Sequence, residues 1–470
     1  MSSQKRLIYM VLGPVIYAII TLLLQGSIGT TPAEGIAVAA WMIFWWITRP
    51  VDIQVTALLP GVVNALFNIV PMADVIGKYS SGSIILIFGS LLITIPWAFT
   101  GLDRRIALKA LSIIGPDMKR QVAVWLIVPI IFSTVLPNVV VVAIFTPIAI
   151  AMLKAAGYDG KSDAAVPILC AIGWGAGIGG VGSPFGGAMN VSAIQILQEF
   201  TGKEFMYADW VKYTLPYLII ATIIMALVMI NMPMEVKRIE GAKEYFDKLY
   251  KELGPMKRSE VVGLVIFLLA LGLSFARPLY SDIFPTLEPY CIFLILGFLN
   301  FFITIKDFGL SLTWESAQKN MMWGMMILFA GGLALGAILT GSGANEAIAQ
   351  AISSLSFDGG LTTVILIGVF ACAISEFSNS TVSAALTVPL VLGLTEQLGL
   401  EPGPYFFVAV LCYNSEFLLP VSVRAIPVGY GLDPSKMMKK GIVPFLVRTA
   451  TCIVVSYLFL TFWPGFGALS

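Results

Sequence analysis

The chain has 470 residues, 58% of them hydrophobic and 12% charged, with a mean hydropathy of +0.90 and a formal net charge of +1. A soluble domain carries about twice that charged fraction, so the composition is that of an integral membrane protein. The absence of histidine excludes a Ser-His-Asp triad, a His-ligated zinc centre and a histidine proton relay. No enzymatic activity and no nucleic-acid partner is expected.

A helical span needs about 20 mainly apolar residues. On that basis the spans lie at roughly 6–25, 32–48, 54–71, 83–100, 164–198 (broken), 211–231, 260–276, 287–305, 320–341, 404–430 (broken) and 441–463. Residues 1–25 open on a short polar leader with no small-residue cleavage site, and are expected to stay as the first span. Two further apolar segments, 121–153 and 361–397, are interrupted by polar knots and are expected to be re-entrant hairpins. The fold class is thus all-α and polytopic, with eleven transmembrane helices plus two hairpins. With both hairpins re-entrant and the N-terminus cytoplasmic, 22 of the 28 Lys and Arg residues fall on the cytoplasmic side. Lys78, Lys203, Lys212 and Arg277 fall outside, and Arg424 and Arg448 within spans. That asymmetry fixes the orientation, and it would weaken if either hairpin crossed completely.

Spans one to three read as scaffold. The fourth runs through Gly101 into Leu-Asp-Arg-Arg-Ile-Ala-Leu-Lys-Ala-Leu, an amphipathic stretch expected to lie in the interface. In the first hairpin, Leu136-Pro137 breaks the helix, because proline removes a donor and disfavours helix in the residue before it. Asn138 is the amide at that break; packing alone is the other reading of it. The run from Gly173 to Asn190 carries too many glycines for a regular helix interior, at about 1 kcal/mol each. It should unwind near Ser183-Pro184 and resume near Ala188, unless the glycines serve only close helix packing.

Residues 232–259 form the one long charged segment, a cytoplasmic linker with an amphipathic surface helix. It divides the chain into a first repeat, 1–231, and a second, 260–470. At an offset of 242 residues Gly89 aligns with Gly331, Gly101 with Gly343, Ile106-Ala107 with Ile348-Ala349 and Pro147 with Pro389. The first hairpin opens from the cytoplasm and the second from outside, so the repeats are inverted. Inverted repeats with interrupted helices at matching positions point to a secondary transporter with a midplane site. The second hairpin carries Ser375-Glu-Phe-Ser-Asn-Ser-Thr-Val-Ser383, and a single span packed through small polar residues is its alternative. The last broken span carries Tyr413-Asn-Ser-Glu416 and Ser422-Val-Arg-Ala-Ile-Pro427. The five cysteines, Cys170, Cys291, Cys372, Cys412 and Cys452, lack CxxC spacing, and neither a disulfide framework nor a metal site is expected.

At these residues the chain resembles the divalent anion/sodium symporter (DASS) family of dicarboxylate and citrate carriers, which bear a Ser-Asn-Thr motif at each hairpin tip. The first motif falls on Pro137-Asn138-Val139. The second falls on Asn379-Ser380-Thr381 or, one residue earlier, places its Ser-Asn on Ser378-Asn379. The family's two helix breaks fall on Gly186 to Asn190 and on Ser422 to Ile426. Val139, Gly187 and Val423 stand where threonine is usual, and Pro137 where serine is.

The resemblance implies a homodimer in the plasma (inner) membrane, with a scaffold domain and a moving substrate domain that work as an elevator. It implies secondary active transport of small di- or tricarboxylates, four- and five-carbon diacids such as succinate, malate and 2-oxoglutarate among them. The expected substrate-binding residues are Asn138, Pro137, Val139, Ser183, Gly187, Ser378, Asn379, Ser380, Thr381, Ser422, Val423 and Arg424, with no metal and no cofactor. The lost hydroxyls and an uncompensated Arg424 together point to sodium-independent exchange. Sodium-coupled symport is the alternative, and a gated anion channel a further one. Glu376 and Glu416 are expected either to couple protons, or to pair with Arg424 or cap backbone donors. Arg448, about two turns from its helix end, is expected to snorkel to the interface.

Overall fold

The computed structural model describes residues 3–111, 113–305, 309–353, 358–420 and 422–469. The fold is all-helical, apart from a two-residue antiparallel pair that sets Thr304 against Leu310 and Ile305 against Gly309. Among the described residues, eight helices are long and apolar enough to cross a membrane. Shorter apolar helices, among them Ala165–Gly179, Leu361–Phe377 and Pro402–Cys412, belong to the interrupted segments.

The N-terminal helix Ser3–Ile28 is exposed along most of its length and packs on Thr30–Thr48. A Cβ on Gly13 would lie 2.1 Å from the Trp41 indole nitrogen, so this contact requires glycine. The expected third span, 54–71, is instead two short helices, Ile53–Thr56 and Leu59–Phe67. Pro60 sits in the first turn of the second, where proline is tolerated as a helix start. Asn64 then closes the following loop, donating to the Val70 carbonyl and accepting from the Val70 N–H, both at 3.0 Å. The segment expected at 287–305 is helical only over Pro289–Leu299.

Both polar knots reverse the chain. The first hairpin has arms Met118–Ser133 and Asn138–Ala155. Phe132 and Trp125 of one arm meet Phe145 of the other, with ring centroids 5.2 and 6.4 Å apart. The second has arms Leu361–Phe377 and Ser380–Leu398, and the Ser383 hydroxyl donates to the Ala371 carbonyl at 2.7 Å. In a continuous helix those residues would stand about 18 Å apart.

The first broken segment unwinds where its sequence indicates, between Ala165–Gly179 and Ala188–Thr201, with a single 3-10 turn at Pro184–Gly186. Its glycines also pack closely. Cβ atoms on Gly175 and Gly179 would lie 2.5 and 2.1 Å from the carbonyl oxygens of Leu126 and Ile130, so the helix rides backbone to backbone on the first hairpin. The second broken segment is helical over Pro402–Cys412, irregular across the Glu416 region, and helical again only in Ser422–Arg424 and Ala425–Gly429.

The stretch expected in the interface forms the helix Leu102–Leu111, and the charged linker carries the helix Ala242–Glu252. Arg105 joins the two regions: its Nε donates to Glu260 Oε1 at 2.9 Å, and its other nitrogens donate to the carbonyls of Leu253, Gly254 and Pro255. The linker is therefore docked, with Phe246 buried against Trp125 at 6.0 Å.

The reversal at the second knot has a direct chemical test. In a Cys372→Ser background, Ala371→Cys with Ser383→Cys should be bridged by a short bis-methanethiosulfonate, read as a single added crosslink by intact mass. A continuous helix would leave both thiols labelled separately.

Candidate functional site

The tip of the second hairpin is built from side chains that finish the helix ends. Asn379 caps the helix that follows, its Oδ1 accepting from the Val382 N–H at 2.9 Å. Ser380 opens that helix and donates its N–H to Glu416 Oε1 at 2.7 Å. Its hydroxyl is shared between Glu416 Oε1 at 2.5 Å and Asn414 Oδ1 at 2.7 Å.

Behind the tip lies a charge cluster. Glu376, from the last turn of the incoming arm, accepts the N–H groups of Phe417, Leu418 and Leu419 at 2.7, 2.8 and 2.9 Å. It also pairs with Arg424 Nη1. Arg424 Nη2 stands 3.6 Å from Glu416 Oε2. All three residues are buried, Arg424 at 1%, Glu376 at 2% and Glu416 at 5% exposure. An irregular backbone inside a membrane protein must find partners for its amides, and one carboxylate satisfies three of them here. The cluster holds two carboxylates against one guanidinium. Arg49, at the end of Thr30–Thr48, is close enough for its charge to interact with that of Arg424, but it is exposed.

At the first tip, the Ser133 hydroxyl donates to Asn138 Oδ1 at 2.9 Å. Gly180 lies between the two tips: a Cβ there would come within 2.5 Å of Asn138 Oδ1 and 2.8 Å of Asn414 Nδ2. Asn414 donates to the Gly177 carbonyl at 2.5 Å. Asn190 donates to the carbonyls of Gly180 at 2.6 Å and Ser183 at 2.8 Å, and accepts from the Tyr413 hydroxyl at 2.8 Å. Ser183 donates its hydroxyl to the Thr134 carbonyl and accepts the Phe185 N–H. One polar seam thus joins both hairpins to both helix breaks. The helices that begin at Asn138, Ala188 and Ser380 start along this seam, and helix N-termini favour anions.

A groove of 450 Å³ runs along the first hairpin from Asp103 and Arg104 past Val139 to Leu136. It shares Thr94 and Leu136 with a 30 Å³ cavity lined by Pro137, Phe185 and Gly187. The larger 640 Å³ cavity, between Phe200, Glu401 and the C-terminal residues, contains none of the seam residues.

A family model described as citrate transporter (CitMHS) matches residues 43–412. The chain belongs to the citrate transporter family. It is similar to the sodium-dependent dicarboxylate transporter SdcS of Staphylococcus saprophyticus, 25% identical over 467 residues that cover 96% of this chain and 90% of the relative. The Staphylococcus aureus SdcS is 26% identical over 473 residues, with the same coverage. The fold is similar to that of the Alcanivorax borkumensis YdaH transporter, described as having an unusual topology, with a TM-score of 0.54 at 11% identity over 92% of this chain and 99% of that one. The resemblance to divalent anion/sodium symporters read at the hairpin tips is borne out at the level of family, and the protein is a transporter, not an enzyme.

In this citrate transporter family member the residues singled out from sequence fall into three groups. Asn138, Ser183, Ser380 and Asn379 lie on or beside the polar seam, with Ser378 and Thr381 buried at the second tip. Pro137, Gly187 and Val139 line the approach from the groove. Ser422, Val423 and Arg424 form a 3-10 turn, of which Arg424 is turned into the charge cluster while Ser422 is exposed with a left-handed φ of 55°. The uncompensated Arg424 expected from sequence is corrected: Glu376 and Glu416 both face it. Arg448 does not snorkel; it is fully buried, its guanidinium 4.6 Å from the centre of the Tyr217 ring. Sequence reasoning omitted Asn190, Tyr413, Asn414 and Ser133 from the site. Asn414 was legible as the amide two positions before Glu416, and Ser133 as a hydroxyl beside the first break.

Glu376→Gln should strip the buried guanidinium of its closest anion and lower stability by about 3 kcal/mol, as removal of one partner from a buried pair does. A lower Tm in detergent would be the readout, with substantial recovery in Glu376→Gln combined with Arg424→Met.

Proposed function

We propose that the protein is a secondary active transporter of small dicarboxylates that couples entry of the diacid to entry of a cation, sodium in the first instance. The observation that carries the reading is the cluster of Arg424 with two buried carboxylates, Glu376 and Glu416. Arg424 already has its counter-ions, so it does not require a bound substrate to neutralise it. With both carboxylates ionised, an empty site has one negative charge more than positive. A dianion about 8 Å from that excess would be repelled by roughly 4 kcal/mol at an effective dielectric of 20, about a thousandfold in affinity. A cation bound with the substrate removes most of that penalty. Arg49, at the end of Thr30–Thr48, is exposed to screening solvent and would belong to the scaffold, so its charge offsets little of that excess. The sodium-dependent dicarboxylate transporters among the relatives support the choice of sodium.

The diacid would sit where the helices starting at Asn138, Ala188 and Ser380 meet, oriented by Asn138, Asn414 and the hydroxyls of the second tip. Its route would be the groove beside Val139, which on the positive-inside orientation opens to the cytoplasm. The two repeats, 1–231 and 260–470, flanking the linker at 232–259, would be inverted in the bilayer. The scaffold would be a homodimer in the plasma membrane, and the hairpins would travel as an elevator.

Sodium-independent exchange is the second reading, favoured by Pro137, Val139, Gly187 and Val423, which remove hydroxyl ligands around the breaks. Liposomes containing no internal diacid separate the two. Under an inward sodium gradient, labelled succinate should accumulate, and replacing sodium with choline should reduce the initial rate at least tenfold. Uptake that requires internal diacid and ignores sodium would establish exchange instead. A current far above carrier turnover would mean a channel.

A further inference from the structure

Cys372, Cys412 and Cys452 lie 40 residues apart in sequence, on three different helices. The fold places their three sulfurs within 4.8 Å of one another, all buried. Cys372 is on the incoming arm of the second hairpin, Cys412 ends the helix before the second break, and Cys452 is on the last helix. One turn before Cys452 on that helix stands Arg448, at 0% exposure. Among the described residues, none of its three guanidinium nitrogens has a hydrogen-bond partner. The guanidinium faces the ring of Tyr217, whose hydroxyl is 3.0 Å from the Cys452 sulfur. A buried arginine without an anion is costly, and a cation–π contact offsets only about 2 kcal/mol of that cost when desolvated.

The geometry points to a three-sulfur site for a soft monovalent cation, Cu(I), held at the junction of these helices. Thiolates select soft metals, and with metal–sulfur bonds of about 2.3 Å the sulfurs of a trigonal site stand about 4.0 Å apart, within the separation found here. The charge balance accounts for the arginine. Cu(I) binding to two of the thiols releases two protons to water and leaves a bis-thiolate complex of charge −1, with the third sulfur as a neutral donor. Arg448 then neutralises that complex, and the metal keeps its oxidation state throughout. The other two cysteines take no part: Cys170 is buried and Cys291 only partly so, and neither belongs to the sulfur cluster. The site would tie the second hairpin to the last helix, directly beside the polar seam that begins at Tyr413 and Asn414.

The test uses the full chain, purified in detergent under reducing conditions from copper-supplemented cells. One copper per chain should survive challenge with the Cu(I) chelator bathocuproine disulfonate, and X-ray absorption should give sulfur-only neighbours. Cys372→Ser, Cys412→Ser and Cys452→Ser should each lower retained copper at least tenfold, while Cys291→Ser should not. If a serine variant fails to fold, the wild-type absorption spectrum still decides. Loss of all copper to the chelator, oxygen or nitrogen neighbours in the spectrum, or full retention in well-folded Cys452→Ser would overturn the assignment.

Discussion

The pairing of Glu376 with Arg424 holds the second half of the site together. It spans 48 residues of sequence, from the last turn of a hairpin arm to the turn after a helix break. The same carboxylate accepts three consecutive backbone N–H groups, from Phe417 to Leu419. An unwound segment at membrane depth is tolerated only where its polar groups are buried in protein and satisfied. Without Glu376 those amides would lose their acceptor and the guanidinium its closest anion, and the second tip would lose its fixed position relative to the break. Glu416 extends the clamp to the start of the outgoing arm through Ser380.

The two halves solve the same structural problem with different chemistry. In the first half the break is closed without charge: Asn190 and Ser183 stitch the loop, and glycines let Ala165–Gly179 lie directly on the hairpin backbone. The second half uses a buried ionic cluster. A neutral, glycine-packed half can be shaped by its contacts alone, whereas the ionic half carries charge. On the proposed mechanism, substrate charge, cluster charge and the coupled cation are linked. Gly180 joins the two solutions, because a side chain there would collide with both Asn138 and Asn414.

Much of this architecture was legible in the residues. The break at Leu136-Pro137 follows from proline, the unwinding near Ser183-Pro184 from glycine density, and the second tip from a polar knot between two apolar runs. The pairing of Arg424 was visible only as one of several options, because sequence separation says nothing about which of Glu376 and Glu416 reaches it, or that both do. The third span was read as continuous because its hydropathy is uniform; a second helix starts at Leu59-Pro60, and the Asn64 loop closure follows its end. Arg448 was assigned to the interface by its distance from the helix end, yet its direction is set by the neighbours on its helix face. Likewise the cysteines, unremarkable in spacing, come together only through the packing of three helices.

The claim on which the mechanism rests is that the clamped site carries excess negative charge which a cation must offset before a diacid binds. Titration of succinate onto the purified protein, at constant ionic strength with sodium replaced stepwise by choline, tests it without any transport step. The account predicts that succinate affinity rises at least tenfold with sodium and that, by linkage, succinate tightens sodium binding by the same factor. Equal succinate affinity in sodium and in choline would contradict it.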